Sequence, residues 1–145
     1  MQKKFKLSEV SDIAKEIIEK IESTKEREDA CVLALSGDLG AGKTTLTQAI
    51  ARALGVKESL VSPTFVLMKF YSLKHKRFNT LVHIDAYRID EDKELLVLGW
   101  EAILKDPTNL VLIEWPERVA KLIPKNAINV SLKHACETTR EIKIS

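Results

Sequence analysis

The sequence has few of the residues that mark disulfide-rich or membrane-spanning proteins. It contains 2 cysteines in 145 residues, Cys31 and Cys136, and they form no CxxC or Cys/His pattern, so neither a zinc site nor a disulfide scaffold is expected. No apolar run approaches the length of a membrane span, and the segment after Met1 is too polar for a secretion signal. We therefore expect reduced thiols, a cytoplasmic location and no membrane association.

The chain also lacks an excess of charge of either sign. Its 23 basic and 21 acidic side chains give a net charge of +2, which argues against a protein that holds nucleic acid by charge alone. The basic run at residues 74–77 is a local exception, and a solvated hairpin tip is favoured there over a patch that touches RNA. With 45% hydrophobic residues, the chain can bury one real core, so we expect a single domain over residues 1–145.

Glycine is scarce as well, with 5 in the chain, yet three of them lie within residues 37–44. This stretch reads Gly-Asp-Leu-Gly-Ala-Gly-Lys-Thr and fits the Walker A template, between a buried apolar run and a helical pattern. Glycines let the backbone curl round an anion with its N–H groups pointing inward. Lys43 would bring a positive charge to the outer phosphates of a nucleotide, and Thr44 would offer a hydroxyl to Mg²⁺.

The spacing of apolar residues elsewhere predicts alternating helices and strands. Helices are expected near residues 8–21, 43–54, 90–98, 100–104 and 116–123. Strands are expected near residues 3–7, 30–35, 65–73, 80–85 and 110–114, and as two paired strands around a turn near Glu137. This order predicts an α/β fold, a P-loop NTPase-like three-layer sandwich with a mostly parallel central sheet and antiparallel additions.

Two acidic residues end predicted strands. Glu114 follows four apolar residues, in the form of a Walker B strand. Because the carboxyl ends of parallel strands gather at one edge of an open α/β sheet, Glu114 should emerge near Thr44, and these two residues are the predicted Mg²⁺ ligands. Asp85 would orient the attacking water or hold a water on the metal; the alternative is a turn or cap aspartate at the strand exit.

Other candidates carry two interpretations each. Thr64 lies in the loop where phosphate-hydrolysing relatives have switch segments, so its hydroxyl is a candidate sensor of the γ-phosphate. Trp115 either lies close to the nucleotide or covers helix and sheet. His83 is more typical of a packed or hydrogen-bonded core histidine than of a catalytic base. Arg88 either reaches a phosphate or pairs with a neighbouring acid.

The absence of certain motifs limits which nucleotide the chain is expected to bind and which reaction it is expected to catalyse. A GTPase should have Asn-Lys-x-Asp and Asp-x-x-Gly; the chain has neither, and Arg88 stands where that glycine belongs. ATP is therefore the expected nucleotide. The chain leaves little room for the lid and acceptor pocket of a small-molecule kinase, so a minimal ATPase is favoured. A kinase with Asp85 as base, and a nucleotide-dependent binding module without turnover, stay open as alternatives.

Five motifs together resemble the TsaE (YjeE) family in order and spacing. They are GDLGAGKTT at 37–45, SPTF at 62–65, HIDAYR at 83–88, LG at 98–99 and IEWP at 113–116. The likeness extends over essentially the whole chain, including Arg140 before the last apolar strand. It implies a bacterial P-loop ATPase needed for the threonylcarbamoyl modification of adenosine beside the anticodon in tRNAs that read codons beginning with A.

The resemblance also implies partners and residue roles. In that family the protein works with TsaB and the transferase TsaD, TsaC supplies threonylcarbamoyl-adenylate, and ATP hydrolysis resets the TsaB–TsaD complex, with contact to tRNA indirect or weak. Lys43, Asp85 and Glu114 would serve hydrolysis, and Thr44 and Glu114 would hold Mg²⁺. The residues expected to contact ATP are Asp38, Leu39, Gly40, Ala41, Gly42, Lys43, Thr44, Thr45, Thr64 and Trp115.

Overall fold

The computed structural model describes residues 1–58, 60 and 67–145. Its strands are β1 (Gln2–Lys6), β2 (Cys31–Gly37), β3 (Met68–Ser72), β4 (Thr80–Asp85), β5 (Asn109–Glu114), β6 (Ile128–His134) and β7 (Thr139–Ile144). Its helices are α1 (Val10–Ser23), α2 (Lys43–Ala53), α3 (Asp92–Val97) and α4 (Trp100–Leu104), with 3₁₀ segments at Leu7–Glu9 and Pro116–Leu122. Among the described residues, no helix combines the length and the apolar character needed to cross a bilayer.

The strands form one seven-stranded mixed sheet in the order β1-β7-β6-β2-β5-β4-β3. The neighbours β6, β2, β5 and β4 are parallel, whereas β3 joins one side and β7 and β1 join the other in antiparallel pairs. The central strands β2 and β5 are covered on both faces, which explains their continuous apolar runs. The predicted α/β fold, a mostly parallel sheet with antiparallel additions, is confirmed.

Alternate side chains of the central strands enter two separate cores. Leu33, Leu81 and Leu112 belong to the core that packs under α1 and α2. Their neighbours in sequence, such as Val32, Val82, Val111 and Ile113, belong to the opposite core under α3, α4 and the 3₁₀ segment Pro116–Leu122. The result is the expected three layers, with the P-loop helix α2 on the first face.

Three predicted elements differ from the observed ones. The helix predicted at residues 90–98 begins only at Asp92, because the Glu94 carboxylate accepts hydrogen bonds from the N–H groups of Asp90 (2.8 Å) and Glu91 (2.9 Å) and so caps it. The helix predicted after Pro116 is a 3₁₀ segment, because Val119 leaves helical dihedrals (φ −133°, ψ 38°). The strand predicted at residues 65–73 corresponds to β3, which begins at Met68; residues 65–66 lie outside the described residues.

The basic run at residues 74–77 has a structural role in addition to its exposed lysines. The Arg77 guanidinium donates to the carbonyl oxygens of Ile21 (2.9 Å) and Thr24 (3.3 Å), at the carboxyl end of α1. His75 Nε2 lies 2.8 Å from a carboxylate oxygen of Glu22. Since the last carbonyl groups of a helix lack intrahelical partners and attract cations, these side chains fasten the β3–β4 hairpin to α1.

Candidate functional site

The loop between β2 and α2 has three glycines with positive φ, and two of them, Gly37 and Gly42, mark its ends. Gly37 has φ +149°, and a Cβ there would lie 2.6 Å from the carbonyl oxygen of Leu132 in β6. Gly42 precedes α2 with φ +100°. Neither position suits a residue with a side chain, so the loop conformation depends on both glycines. The first turn of α2, whose N–H groups lack intrahelical partners, faces the cleft formed by this loop.

A cleft of about 360 Å³ lies over the loop at the carboxyl edge of the parallel strands. The predicted residues Asp38, Leu39, Gly40, Gly42, Lys43, Thr44, Thr45, Asp85, Glu114 and Trp115 all line it. Ala41 does not, because its side chain is buried in the core under the loop. Thr64 lies outside the described residues. Leu7, Tyr87 and Arg140 also line the cleft, and the motifs gave no site role to these three.

The hydroxyl of Thr44 and the carboxylate of Glu114 meet at the base of the cleft. Thr44 Oγ1 lies 3.4 Å from Glu114 Oε1, although the residues are 70 positions apart. Glu114 is only 2% exposed, and its Oε2 lies 2.7 Å from His83 Nε2. A hydroxyl and a carboxylate are hard oxygen ligands of the kind Mg²⁺ prefers. Within the described residues no group of three His, Cys, Asp or Glu residues is placed to hold a metal, so a metal here would need nucleotide or water oxygens as well.

Lys43 is held inside the loop. Its ammonium group donates hydrogen bonds to the carbonyl oxygens of Gly37 and Asp38, and the residue as a whole is 6% exposed. Burial lowers the pKa of the Lys43 ammonium, and the nearby carboxylates, Glu114 first among them, oppose that shift. The same ammonium lies 3.9 Å from the ring centroid of Trp115, a cation–π contact. Its charge therefore lies between the loop carbonyl groups and the Trp115 ring, at the cleft.

Trp115 forms an aromatic wall of the cleft. Its backbone has φ +58°, which L-residues with bulky side chains rarely adopt. The centroid of its ring lies 5.0 Å from that of the Tyr87 ring. The Arg118 guanidinium carbon lies 5.6 Å from the Tyr87 ring centroid, a cation–π contact. Trp115 lines the cleft and also packs against the core beneath α3 and α4, which agrees with its expected cover over helix and sheet; its closeness to a nucleotide stays a prediction.

Asp85 and Glu114 are opposite each other at the ends of the neighbouring parallel strands β4 and β5. Asp85 is half-buried, lines the cleft, and accepts a hydrogen bond from the N–H of Tyr87 (3.0 Å). This bond is the turn interaction typical of aspartate at a strand exit. Asp85 thus has the turn contact expected of one interpretation and also lines the cleft, and its role in orienting water stays a prediction.

Arg140 supports the loop from β7. Its side chain is buried, and its guanidinium donates to the carbonyl oxygens of Ala41 (3.2 Å) and Gly40 (3.4 Å), as well as to that of Cys136 (2.7 Å). By donating hydrogen bonds to these carbonyl groups, it stabilises the conformation of the loop. The sequence signal was a charged residue in register with the inward-facing Ile142 and Ile144, which motif matching alone does not interpret.

Comparisons with known proteins show which family and which fold this chain shares. The family model described as "Threonylcarbamoyl adenosine biosynthesis protein TsaE" matches residues 6–142. The tRNA threonylcarbamoyladenosine biosynthesis protein TsaE of Treponema pallidum is 36% identical over 118 residues, which cover 81% of this chain and 84% of that protein. The protein of the same name from Bacillus subtilis is 35% identical over 111 residues, covering 77% and 66%. The crystal structure of Bacillus subtilis YdiB superposes with a TM-score of 0.72 and 29% identity, covering 99% of this chain and 84% of that one.

Proposed function

The chain belongs to the TsaE family, whose role is in tRNA threonylcarbamoyladenosine biosynthesis, and from this premise we propose that it is the ATP-hydrolysing component of that machinery. It binds Mg-ATP at the loop of residues 37–44 and acts on the TsaB–TsaD complex to sustain turnover. The observation that carries the proposal is the convergence of Lys43, Thr44 and Glu114 on one cleft, with Thr44 Oγ1 3.4 Å from Glu114 Oε1.

The proposed roles follow from position and charge. The N–H groups of the loop and of the first turn of α2 bind the β- and γ-phosphates, and the Lys43 ammonium offsets their negative charge. Thr44 and Glu114 hold Mg²⁺, which when bound neutralises charge on the phosphate oxygens. Asp85, beside Glu114 at the end of the neighbouring strand β4, orients the attacking water. In phosphoryl transfer, positioning and electrostatic stabilisation provide most of the catalysis, so this small set of residues is sufficient.

Partner control is the finer part of the proposal. The family description names a biosynthetic pathway, and the proposed reaction transfers the phosphate to water. Hydrolysis here would therefore serve a change in another protein, which in this pathway is the TsaB–TsaD complex. Contact with tRNA is indirect or weak on this proposal, in keeping with the net charge of +2.

The test is ATP hydrolysis by the purified chain with and without TsaB–TsaD. We expect phosphate release that requires Mg²⁺, rises when the complex is added and is lost in K43A. K15A, which removes an exposed lysine of α1, is the matched control and should behave as wild type. Equal rates with and without TsaB–TsaD would contradict partner control. Transfer of label from ATP to a metabolite instead of water would support the kinase alternative.

A further inference from the structure

His83 is a polar side chain among apolar neighbours on its face of the sheet. Along β4 the side chains that face α1 and α2 belong to Leu81 and His83, and the neighbouring strand β5 contributes Leu110 and Leu112 to the same core. His83 is nevertheless completely buried. A leucine in its place would match its surroundings, whereas a buried imidazole must be desolvated. The imidazole therefore needs a compensating interaction.

In the part of the chain that the structure describes, Glu114 provides that interaction. His83 Nε2 lies 2.7 Å from Glu114 Oε2, while His83 Nδ1 is buried without a hydrogen-bond partner among the described residues. An ionised carboxylate only accepts hydrogen bonds, so the fitting tautomer carries its proton on Nε2 and leaves Nδ1 as an unpaired acceptor. One ring nitrogen is thus left unsatisfied while the other binds a single carboxylate oxygen, an arrangement that stabilises the orientation of Glu114 more than the core.

The register of the sheet explains why the two carboxylate oxygens of Glu114 have different partners. His83 lies opposite Leu112 in the parallel pair of β4 and β5, so Glu114 is the next residue of β5 on the same face. The imidazole approaches Oε2 from within the sheet. Thr44 Oγ1 approaches Oε1 from α2. The carboxylate is therefore fixed at both ends, with Oε1 directed to the hydroxyl that would share a metal with it.

We propose that His83 is a positioning residue that holds the Glu114 carboxylate in the orientation required for Mg²⁺-dependent nucleotide binding. The proposal rests on the function proposed above, in which Thr44 and Glu114 are the metal ligands. Outer partners that orient a ligating side chain typically change metal affinity or activity by about 10- to 100-fold when removed. His83 itself contacts neither nucleotide nor metal on this proposal, so nucleotide binding without Mg²⁺ should be insensitive to it.

The experiment measures the affinity of the full chain for fluorescently labelled ADP in EDTA and across a Mg²⁺ titration. In H83L, which removes the donor but suits the apolar face, the Mg²⁺ concentration at half effect should rise by roughly 10- to 100-fold. Affinity in EDTA should stay within a few-fold of wild type. H83Q, whose amide nitrogen reaches the position of Nε2, should restore most of the Mg²⁺ response. H83N, whose amide corresponds to Nδ1, should not.

A matched control is available at the other His–Glu contact of the hairpin region. His75 Nε2 lies 2.8 Å from Glu22 at the surface, away from the cleft, so H75L should leave both affinities unchanged. If H83L fails to fold, the pair H83Q and H83N carries the same comparison. A normal Mg²⁺ response in H83L, or an equal loss in H83Q and H83N, would overturn the role of His83 while leaving the proposed function standing. Failure of the wild-type chain to bind labelled ADP under any condition would instead remove the proposed function.

Discussion

The two edges of the parallel sheet differ in what they bury. At the carboxyl edge, polar or charged side chains are buried around the loop, namely Lys43, Thr47, His83, Glu114 and Arg140. At the amino edge, the buried polar side chain among the described residues is Asn109, whose amide donates to the carbonyl oxygen of Ile103 (3.1 Å). Burial of polar groups is costly, so their concentration at one edge supports the proposed site there, whereas a single satisfied amide has a structural role.

The largest expected effect is at the carboxyl edge, in K43A. Loss of the ammonium should reduce ATP turnover by roughly 10²- to 10³-fold, the effect typical of removing one group that stabilises developing charge. Affinity for ADP should fall as well, because the same charge binds phosphate in the ground state. Steady-state kinetics and ADP titration measure the two losses. Wild-type turnover in K43A would show that the buried charge at this edge has no catalytic use.

The second effect separates chemistry from binding at the same edge. D85A should lower turnover by about 10²-fold, in the range usual for a residue that positions or activates water, while leaving the affinity for ADP within a few-fold of wild type. Single-turnover hydrolysis alongside ADP binding distinguishes the two quantities. If binding weakened as severely as in K43A while the remaining rate stayed intact, the turn contact to Tyr87 would be the whole role of Asp85.

The third effect belongs to the amino edge. N109A leaves the buried carbonyl oxygen of Ile103 without its side-chain donor and should lower the free energy of unfolding by about 1–2 kcal/mol. Nucleotide affinity should not change, because the residue lies at the far end of β5 from Glu114. Urea unfolding and ADP titration test both statements. A loss of nucleotide affinity without a loss of stability would contradict the contrast between the edges.

The smallest effect compares the two cysteines, Cys31 at the amino end of β2 and Cys136 just after the carboxyl end of β6. Burial raises the pKa of Cys31 at the amino end of β2, whereas hydrogen bonds from Thr139 and Thr138 lower the pKa of the exposed Cys136, after β6, to about 7. The thiolate is the reactive form, so Cys136 should be alkylated with a midpoint near pH 7 and Cys31 should stay protected in the folded chain. Mass spectrometry of the alkylated protein across pH measures this, and T139V should move the Cys136 midpoint upward. A midpoint near the ordinary value of 9.0 would contradict it.

Local pattern was enough to predict the order of helices and strands and the central residues of the cleft. The spacing of apolar residues indicates which side chains are buried. The glycine spacing at residues 37–44 indicates a tightly curved backbone. The carboxyl ends of parallel strands lie at one edge of the sheet, and this rule predicted that Glu114 would lie near Thr44. Boundaries were less accurate where a single side chain decided them, as Glu94 does at the start of α3 and Val119 does after Pro116.

The sequence by itself determined that this chain has an α/β fold of the TsaE type and predicted most of the residues that line the candidate site. Only the tertiary structure decided which partners hold those residues in place. The bond between His83 and Glu114 spans 31 positions and that from Arg140 to Ala41 spans 99. The physical reason is that such contacts depend on which strands become neighbours and in what register, and a one-residue shift in register would turn the side chain to the other face.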